Sequence, residues 1–227
     1  FLAGAGIYKS VKLSWENEQY GQYEFEIATA DYRTPKENVS NVFLQDAKER
    51  ASANTDRKAF YEVDSWQSAV NKIGLSMLSS RWFQDNLNNS EPRVSITAEC
   101  DEEGNVEKIF ASALYKASDN EENDYTVWYT AETQIGTESQ NDSLTVGNIG
   151  IADTTFMQYT LPYGTKIQIA ITKNGGKVRQ INTYFVKDNI LYHIYADVWA
   201  QESGRADIPI NDFLTILDKI EECAPIN

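Results

Sequence analysis

Alternation of apolar and polar residues runs through most of the chain and predicts a protein built mainly of antiparallel strands. Near the start, strand-like stretches at 8–15 and 22–27 flank a turn at 17–21, which predicts a hairpin. The same period of two predicts strands at 93–100, 106–116, 125–134, 166–172, 178–186 and 190–199. The turn sequence Asn174-Gly175-Gly176 favours a tight hairpin, so the last three strands are expected to form a meander.

Three segments show the three-and-four spacing of amphipathic helices. The first is expected to extend to about residue 52, and the third begins near Pro209 with Asn211 as its cap. The second is predicted to begin at Asp64, which together with Gln67 caps the first turn. Their apolar stripes are Val39, Val42, Phe43 and Ala47; Trp66, Ala69, Val70, Ile73, Met77 and Leu78; and Phe213, Leu214, Leu217 and Ile220. Each stripe predicts a helix that packs on a sheet.

The order of these segments predicts the fold class. Helices and strands come in runs and do not alternate as parallel βαβ units would, so the class is predicted to be α+β: mostly antiparallel sheet with two or three packing helices. The polar, Ser-rich segment 137–148 is expected to be a long loop within one continuous sheet. The chain is predicted to be a single domain over 1–227, with an N-terminal subdomain over 1–62 as the alternative.

Charge excludes several classes of partner. The chain has 227 residues and a formal charge of −14, and no stretch concentrates Lys and Arg. Such a chain repels phosphate backbones and anionic lipid, so neither nucleic acid nor a peripheral membrane contact is expected. Residues 1–8 form an apolar stub too short to span a bilayer, which a cut end or a first strand explains equally. Membrane attachment is therefore expected only through a segment upstream of Phe1.

The sequence predicts no catalytic residue, no cofactor and no metal site. The only histidine, His193, lies in a predicted strand, where a structural or solvent-facing imidazole is favoured over a catalytic base. The acidic stretch 119–124 lacks the spacing that wraps a calcium ion, and the glycines at 4–6 and 175–176 lack the context that grips phosphate. For Cys100 and Cys223, two free thiols are expected, and a disulfide between them is the alternative.

Aromatic residues are the remaining candidates for chemistry. The chain has 13 Tyr and 5 Trp, and many of the tyrosines fall on predicted strands. The tryptophans are Trp15, Trp66, Trp82, Trp128 and Trp199. Most of these rings are expected in the core, but a group of them on one sheet face would form a stacking surface for sugars or peptides.

Three stretches resemble a family of unknown function from the outer side of bacterial membrane-anchored proteins, often described as anti-sigma-factor-like. They are the helical segment 63–78, the meander around 186–192, and the terminal helix 213–220. In that family a strand, a short polar turn and a Tyr-bearing strand precede a terminal helix, and the same order occurs here, with Asn189 where the turn usually has Gly. The family has no catalytic residues to carry over.

The resemblance and the lack of catalytic motifs together predict a function. The chain is expected to be a non-enzymatic, extracytoplasmic sensory or interaction domain tethered to the cell membrane of a bacterium. Its expected partner is a protein, a peptide or a cell-wall ligand. The alternative is a secreted module that binds carbohydrate or peptide through exposed aromatic residues.

Overall fold

The structure is a computed structural model that describes residues 12–17, 22–28, 32–86, 93–118, 124–136, 143–149, 153–198 and 207–226. The strands are β1 (Lys12–Asn17), β2 (Gln22–Ala28), β3 (Arg33–Thr34), β4 (Lys58–Val63), β5 (Met77–Ser80), β6 (Val94–Cys100), β7 (Val106–Ser118), β8 (Asp124–Ile135), β9 (Ser143–Ile149), β10 (Thr154–Thr160), β11 (Lys166–Asn174), β12 (Lys177–Lys187), β13 (Ile190–Asp197) and β14 (Ile220–Cys223). The α-helices are α1 (Asn41–Ser52), α2 (Trp66–Ile73), α3 (Arg81–Asn86) and α4 (Ile210–Asp218), and a short 3-10 helix spans Lys36–Asn38.

A nine-stranded sheet forms the centre of the molecule. Its antiparallel strands lie in the order β10-β11-β12-β13-β8-β7-β6-β4, and β3 adds a short parallel pairing at the end of β8. Two smaller sheets accompany it, one of order β1-β2-β9 and one in which β14 pairs with β5. The predicted N-terminal hairpin is confirmed by the antiparallel pairing of β1 with β2.

The predicted α+β class is wrong, whereas the predicted antiparallel sheet is confirmed. Strands hold more than half of the described residues and helices less than a quarter, so the fold is dominated by sheet. The helices are too short and too few to form a layer of their own. The single continuous sheet is also wrong, because all but the last residue of β9 lies in the segment expected to be a loop, and β9 pairs along the whole of β2 in a separate sheet.

Two helices differ from their predicted ends. Ser65, not Asp64, caps α2, because its hydroxyl accepts a hydrogen bond from the Ser68 amide at 3.1 Å. The helix stops at Gly74, whose φ of 75° suits a glycine, so the last two residues of the predicted stripe belong to β5. In α4, Asn211 lies inside the helix and is not its cap: Pro209 occupies that position without a side-chain hydrogen bond.

The C-terminal meander is confirmed. Gly175 and Gly176 have φ of 60° and 77°, and Asp188 and Asn189 have φ of 51° and 63°. A two-residue hairpin turn with both residues at positive φ matches the twist of the strands it joins. The pairings of β11 with β12 and of β12 with β13 follow directly from these two turns.

The main core lies on one face of the large sheet. Buried side chains of α1, α2, α4 and β5 pack there against alternate residues of the strands, among them Phe43, Val70, Ile96, Tyr129 and Phe213. A second, smaller core lies on the opposite face near β12, where Phe25 and Ile27 of β2 cover part of the sheet. None of the helices among the described residues has both the length and the apolar character needed to cross a membrane.

Candidate functional site

The candidate site is the part of the second sheet face that the second core leaves open. Side chains alternate between the two faces along each strand, so the neighbours of buried core residues point to this surface. We call it the Trp128 face. Its members are half-buried or exposed, except for Thr126, Thr130 and Asn182, which are buried by neighbouring residues. It consists of Trp128, Tyr195, His193, Gln180, Asn182, Asp197, Ser112, Leu114, Thr126 and Thr130.

Trp128 lies at the centre of this face. The register places it directly between Tyr195 of β13 and Leu114 of β7. Its side chain is 38% exposed, although β8 is hydrogen-bonded on both sides within the sheet. Directly opposite residues in an antiparallel pair lie about 5 Å apart at their Cβ atoms, so Tyr195 is an immediate neighbour of Trp128 across the strands. The Tyr195 ring also lies 6.0 Å from the ring of His193.

A hydrogen-bond network fixes the polar groups beside the aromatic pair. The Gln180 side-chain amide donates to the Tyr195 hydroxyl at 2.9 Å. The Tyr195 hydroxyl and Gln180 both hydrogen-bond Asp197, yet burial outweighs them and raises the pKa of this carboxyl above its ordinary value. The network holds a carboxyl, a phenol and a carboxamide together beside Trp128.

His193 lies in the next row of the same face. Its Nε2 is 2.7 Å from the Asn182 amide oxygen, and because that oxygen only accepts, Nε2 carries the proton. Its ring stacks on Tyr184 at 4.0 Å with an angle of 4° between the planes. Burial lowers the pKa of His193 to about 4, so the imidazole is neutral at pH 7.

Tyr184 joins the Trp128 face to the second core. Its ring centroid is 5.1 Å from that of Phe25, which is 1% exposed under the small sheet. A continuous row of ring contacts therefore runs from β2 through β12 to His193 of β13. The small sheet thus holds one end of the Trp128 face in place.

The other sequence candidates lie elsewhere. Trp66 and Trp82 are buried in the main core, at 6% and 7% exposure. The side chain of Trp15, the whole of Trp199, residues 119–123 of the acidic stretch and the glycines at 4–6 fall outside the described part of the chain. Across the described residues, no cluster of three or more His, Cys, Asp and Glu is arranged to hold a metal ion.

Both cysteines are free, as expected. Cys100 ends β6 and is 8% exposed, whereas Cys223 lies in β14 and is half-buried. Burial raises the pKa of both thiols. The Cys223 thiol donates to the side-chain oxygen of Gln67 on α2 at 3.2 Å.

Two grooves provide less for a ligand than the Trp128 face. One, of about 370 Å³, lies beside the 101–104 turn, but its Arg57 pairs with Glu102 and its Lys48 binds the Glu103 carbonyl. The other, of about 390 Å³, lies along β5, and the hydroxyl of its Tyr192 is used by the Leu78 amide. Neither groove is lined by an exposed aromatic ring, whereas the Trp128 face has one.

Sequence reasoning named Trp128 and His193 but missed Gln180, Asn182 and Asp197 as partners. The period-two pattern placed them on strands and gave no information on which strands are neighbours. Only the register of β12, β13 and β8 brings these side chains into adjacent rows. An unusual density of carboxamides on an otherwise apolar strand was the available signal.

Comparison with known proteins finds no matching protein family, no matching curated protein and no matching solved structure.

Proposed function

We propose that this chain is a non-catalytic recognition domain of a bacterial membrane-anchored protein, and that its Trp128 face binds the ligand. The observation that carries the binding role is Trp128, exposed in the middle of a central strand. Large apolar rings in such positions are normally covered by a second layer. Binding sites typically combine aromatic side chains with a few precisely placed polar groups, and this face has both.

The chemistry of His193 supports recognition over catalysis. A catalytic imidazole needs a partner that stabilises its charged form, as the carboxylate does in a serine hydrolase. The protonated nitrogen of His193 instead faces an amide oxygen, and burial keeps the ring neutral. This arrangement favours a fixed hydrogen-bonding side chain over a proton acceptor.

Location outside the cytoplasm is the second part of the proposal, and it rests on the resemblance of three stretches to anti-sigma-factor-like extracytoplasmic domains. The test is labelling of intact cells that produce the full-length gene product with a membrane-impermeant, lysine-reactive biotin reagent. We expect labelling of this domain before lysis and recovery of the protein with the membrane fraction. Labelling only after lysis would contradict this location.

The binding role is tested with printed arrays of glycans and of peptides. We expect the wild type to bind at least one arrayed ligand, and Trp128→Ala to lose that binding, because the ring supplies most of the apolar contact area. Trp128 is 38% exposed, so its replacement should lower the melting temperature less than a substitution in the core and leave the protein folded.

Phe60→Ala is the matched control. Phe60 is 56% exposed on the same face of the large sheet, but it lies on β4, three strands away from β8. Three spacings between strands separate the two rings by at least about 14 Å. Blank arrays, or a Trp128→Ala protein that binds like the wild type, would contradict the binding role.

A further inference from the structure

The charge of the Trp128 face differs from that of the whole molecule. The chain carries a formal charge of −14. On this face of β7, β8 and β13, however, the register places the cations Lys108 and Lys116 together with the anions Glu132 and Asp197. Lys108 and Glu132 form an ion pair at 2.9 Å. Among the side chains of this face that the structure describes, the two cations are matched by two anions, so the face has no excess of cations with which to attract an anionic ligand.

The backbone of this region is unavailable to a ligand. Strands β7, β8 and β13 each have a neighbouring strand on both sides, so their amides and carbonyls pair within the sheet. One common mode of recognising an extended peptide is pairing with a free strand edge. A ligand on the Trp128 face must instead be recognised by side chains alone.

The available side chains match the two surfaces of a pyranose ring. One surface of such a ring carries C–H groups that stack on an aromatic ring, and its rim carries hydroxyls that both donate and accept hydrogen bonds. Trp128 provides an exposed ring. The network of Gln180, Tyr195 and Asp197 provides donors and acceptors that are already oriented. Orientation before binding lowers the entropic cost of forming these contacts.

We propose that the Trp128 face binds an uncharged saccharide, with the sugar ring stacked on Trp128 and its hydroxyls bound by Gln180, Tyr195 and Asp197. This assignment rests on the proposed binding role of the same face. It specifies the chemical class of the ligand, which the binding role alone leaves open.

The test uses titration calorimetry with β-1,4-linked oligosaccharides of glucose, mannose and N-acetylglucosamine, with oligogalacturonate as the acidic comparison. We expect at least one neutral oligosaccharide to bind and oligogalacturonate to bind at least about tenfold more weakly. Trp128→Ala should weaken the neutral interaction about tenfold or more. Tyr195→Phe keeps the ring and removes the hydroxyl, so it should weaken binding by about three- to tenfold. Phe60→Ala should bind like the wild type.

The outcomes separate this assignment from the binding role. Peptides that bind in a Trp128-dependent way, with no binding of neutral oligosaccharides, would overturn the saccharide and leave the binding role intact. Oligogalacturonate that binds as tightly as the neutral compounds would overturn the uncharged class. Absence of binding by glycans and peptides alike would overturn both proposals. If Trp128→Ala bound neutral oligosaccharides as tightly as the wild type, the saccharide site would lie elsewhere and this assignment would be overturned.

Discussion

His193 shows how burial of one residue links the candidate site to stability. The pKa of its imidazole falls from an ordinary 6.5 to about 4 in the folded protein. As the pH drops below 6.5, the unfolded chain takes up a proton that the folded chain does not bind until about pH 4. The free energy of unfolding therefore decreases across this window, by at most about 3 kcal/mol from this group. Above pH 6.5 the imidazole is neutral in both states and causes no loss of stability.

We expect His193→Gln to lose less stability than the wild type between pH 6.5 and pH 4. Gln keeps a donor for Asn182 but has no titrating group, so the difference between the two proteins isolates the imidazole. Urea unfolding at pH 7, 5 and 4 measures it. Parallel loss of stability in both proteins would mean that the histidine is solvated in the folded state.

At Gly74, both the backbone conformation and the available space disfavour any residue that has a Cβ atom. Its φ is 75°, and a Cβ there would lie 2.7 Å from the Ser40 Cβ. Gly164 has a similar φ of 82° but no atom within 4 Å of the same position. Both Gly→Ala changes should lower the free energy of unfolding by roughly 1–2 kcal/mol, because Ala is strained in the left-handed conformation. Only Gly74→Ala adds a steric clash, with Ser40 at the start of α1.

Thermal unfolding of the two variants checks this expectation. Gly74→Ala should be less stable than Gly164→Ala by at least about 1 kcal/mol. Equal melting temperatures would show that Ser40 moves away at no cost.

At the scale of elements, the short strand β5 is held by two tyrosines of the large sheet. The Leu78 amide donates to the Tyr192 hydroxyl at 2.8 Å, and the Tyr129 hydroxyl donates to the Leu78 carbonyl at 2.9 Å. Both tyrosines are about 1% exposed. On the side of β5 away from β14, these two hydroxyls form the hydrogen bonds that a neighbouring strand would otherwise form.

Removal of either hydroxyl leaves a buried backbone group of Leu78 without its partner. We expect Tyr129→Phe and Tyr192→Phe each to destabilise the protein by about 1–3 kcal/mol in urea unfolding. Tyr163→Phe is the control, because that hydroxyl also binds a backbone carbonyl, of Ile220, but the residue is 43% exposed. A control loss as large as the loss in the two buried variants would contradict this role for burial.

Most of the long strands were predictable from sequence, whereas β9, β10 and the short strand β5 were not. Strands β6, β7, β8, β11, β12 and β13 alternate over at least seven residues, which is enough to separate a period of two from a helical one. Strand β5 has only four residues, and Met77 and Leu78 continue the spacing of the preceding helix. Its strand state depends on Tyr129 and Tyr192, which lie far along the chain. Local pattern holds no information about such contacts.

At the scale of the whole molecule, the order of strands decides where the candidate site lies. The pattern predicted that Trp128 and His193 lie on strands but not that β13 returns to pair with β8. This pairing joins the C-terminal meander to the central strands and puts Tyr195 beside Trp128. Because long-range pairing depends on the packing of both cores, one strand at a time cannot reveal the site.

The state of the two thiols is a property of the whole chain, since a bridge would join residues 123 positions apart. In the folded protein both are free, and burial raises the pKa of each. We therefore expect the same melting temperature with and without reductant, and two titratable thiols in denaturant without reduction.

In the native state, half-buried Cys223 should react with a thiol reagent before buried Cys100, and Cys223→Ala should remove the faster phase. A bridge closing so long a loop would add roughly 4–5 kcal/mol, so a clear fall in melting temperature on reduction would contradict free thiols.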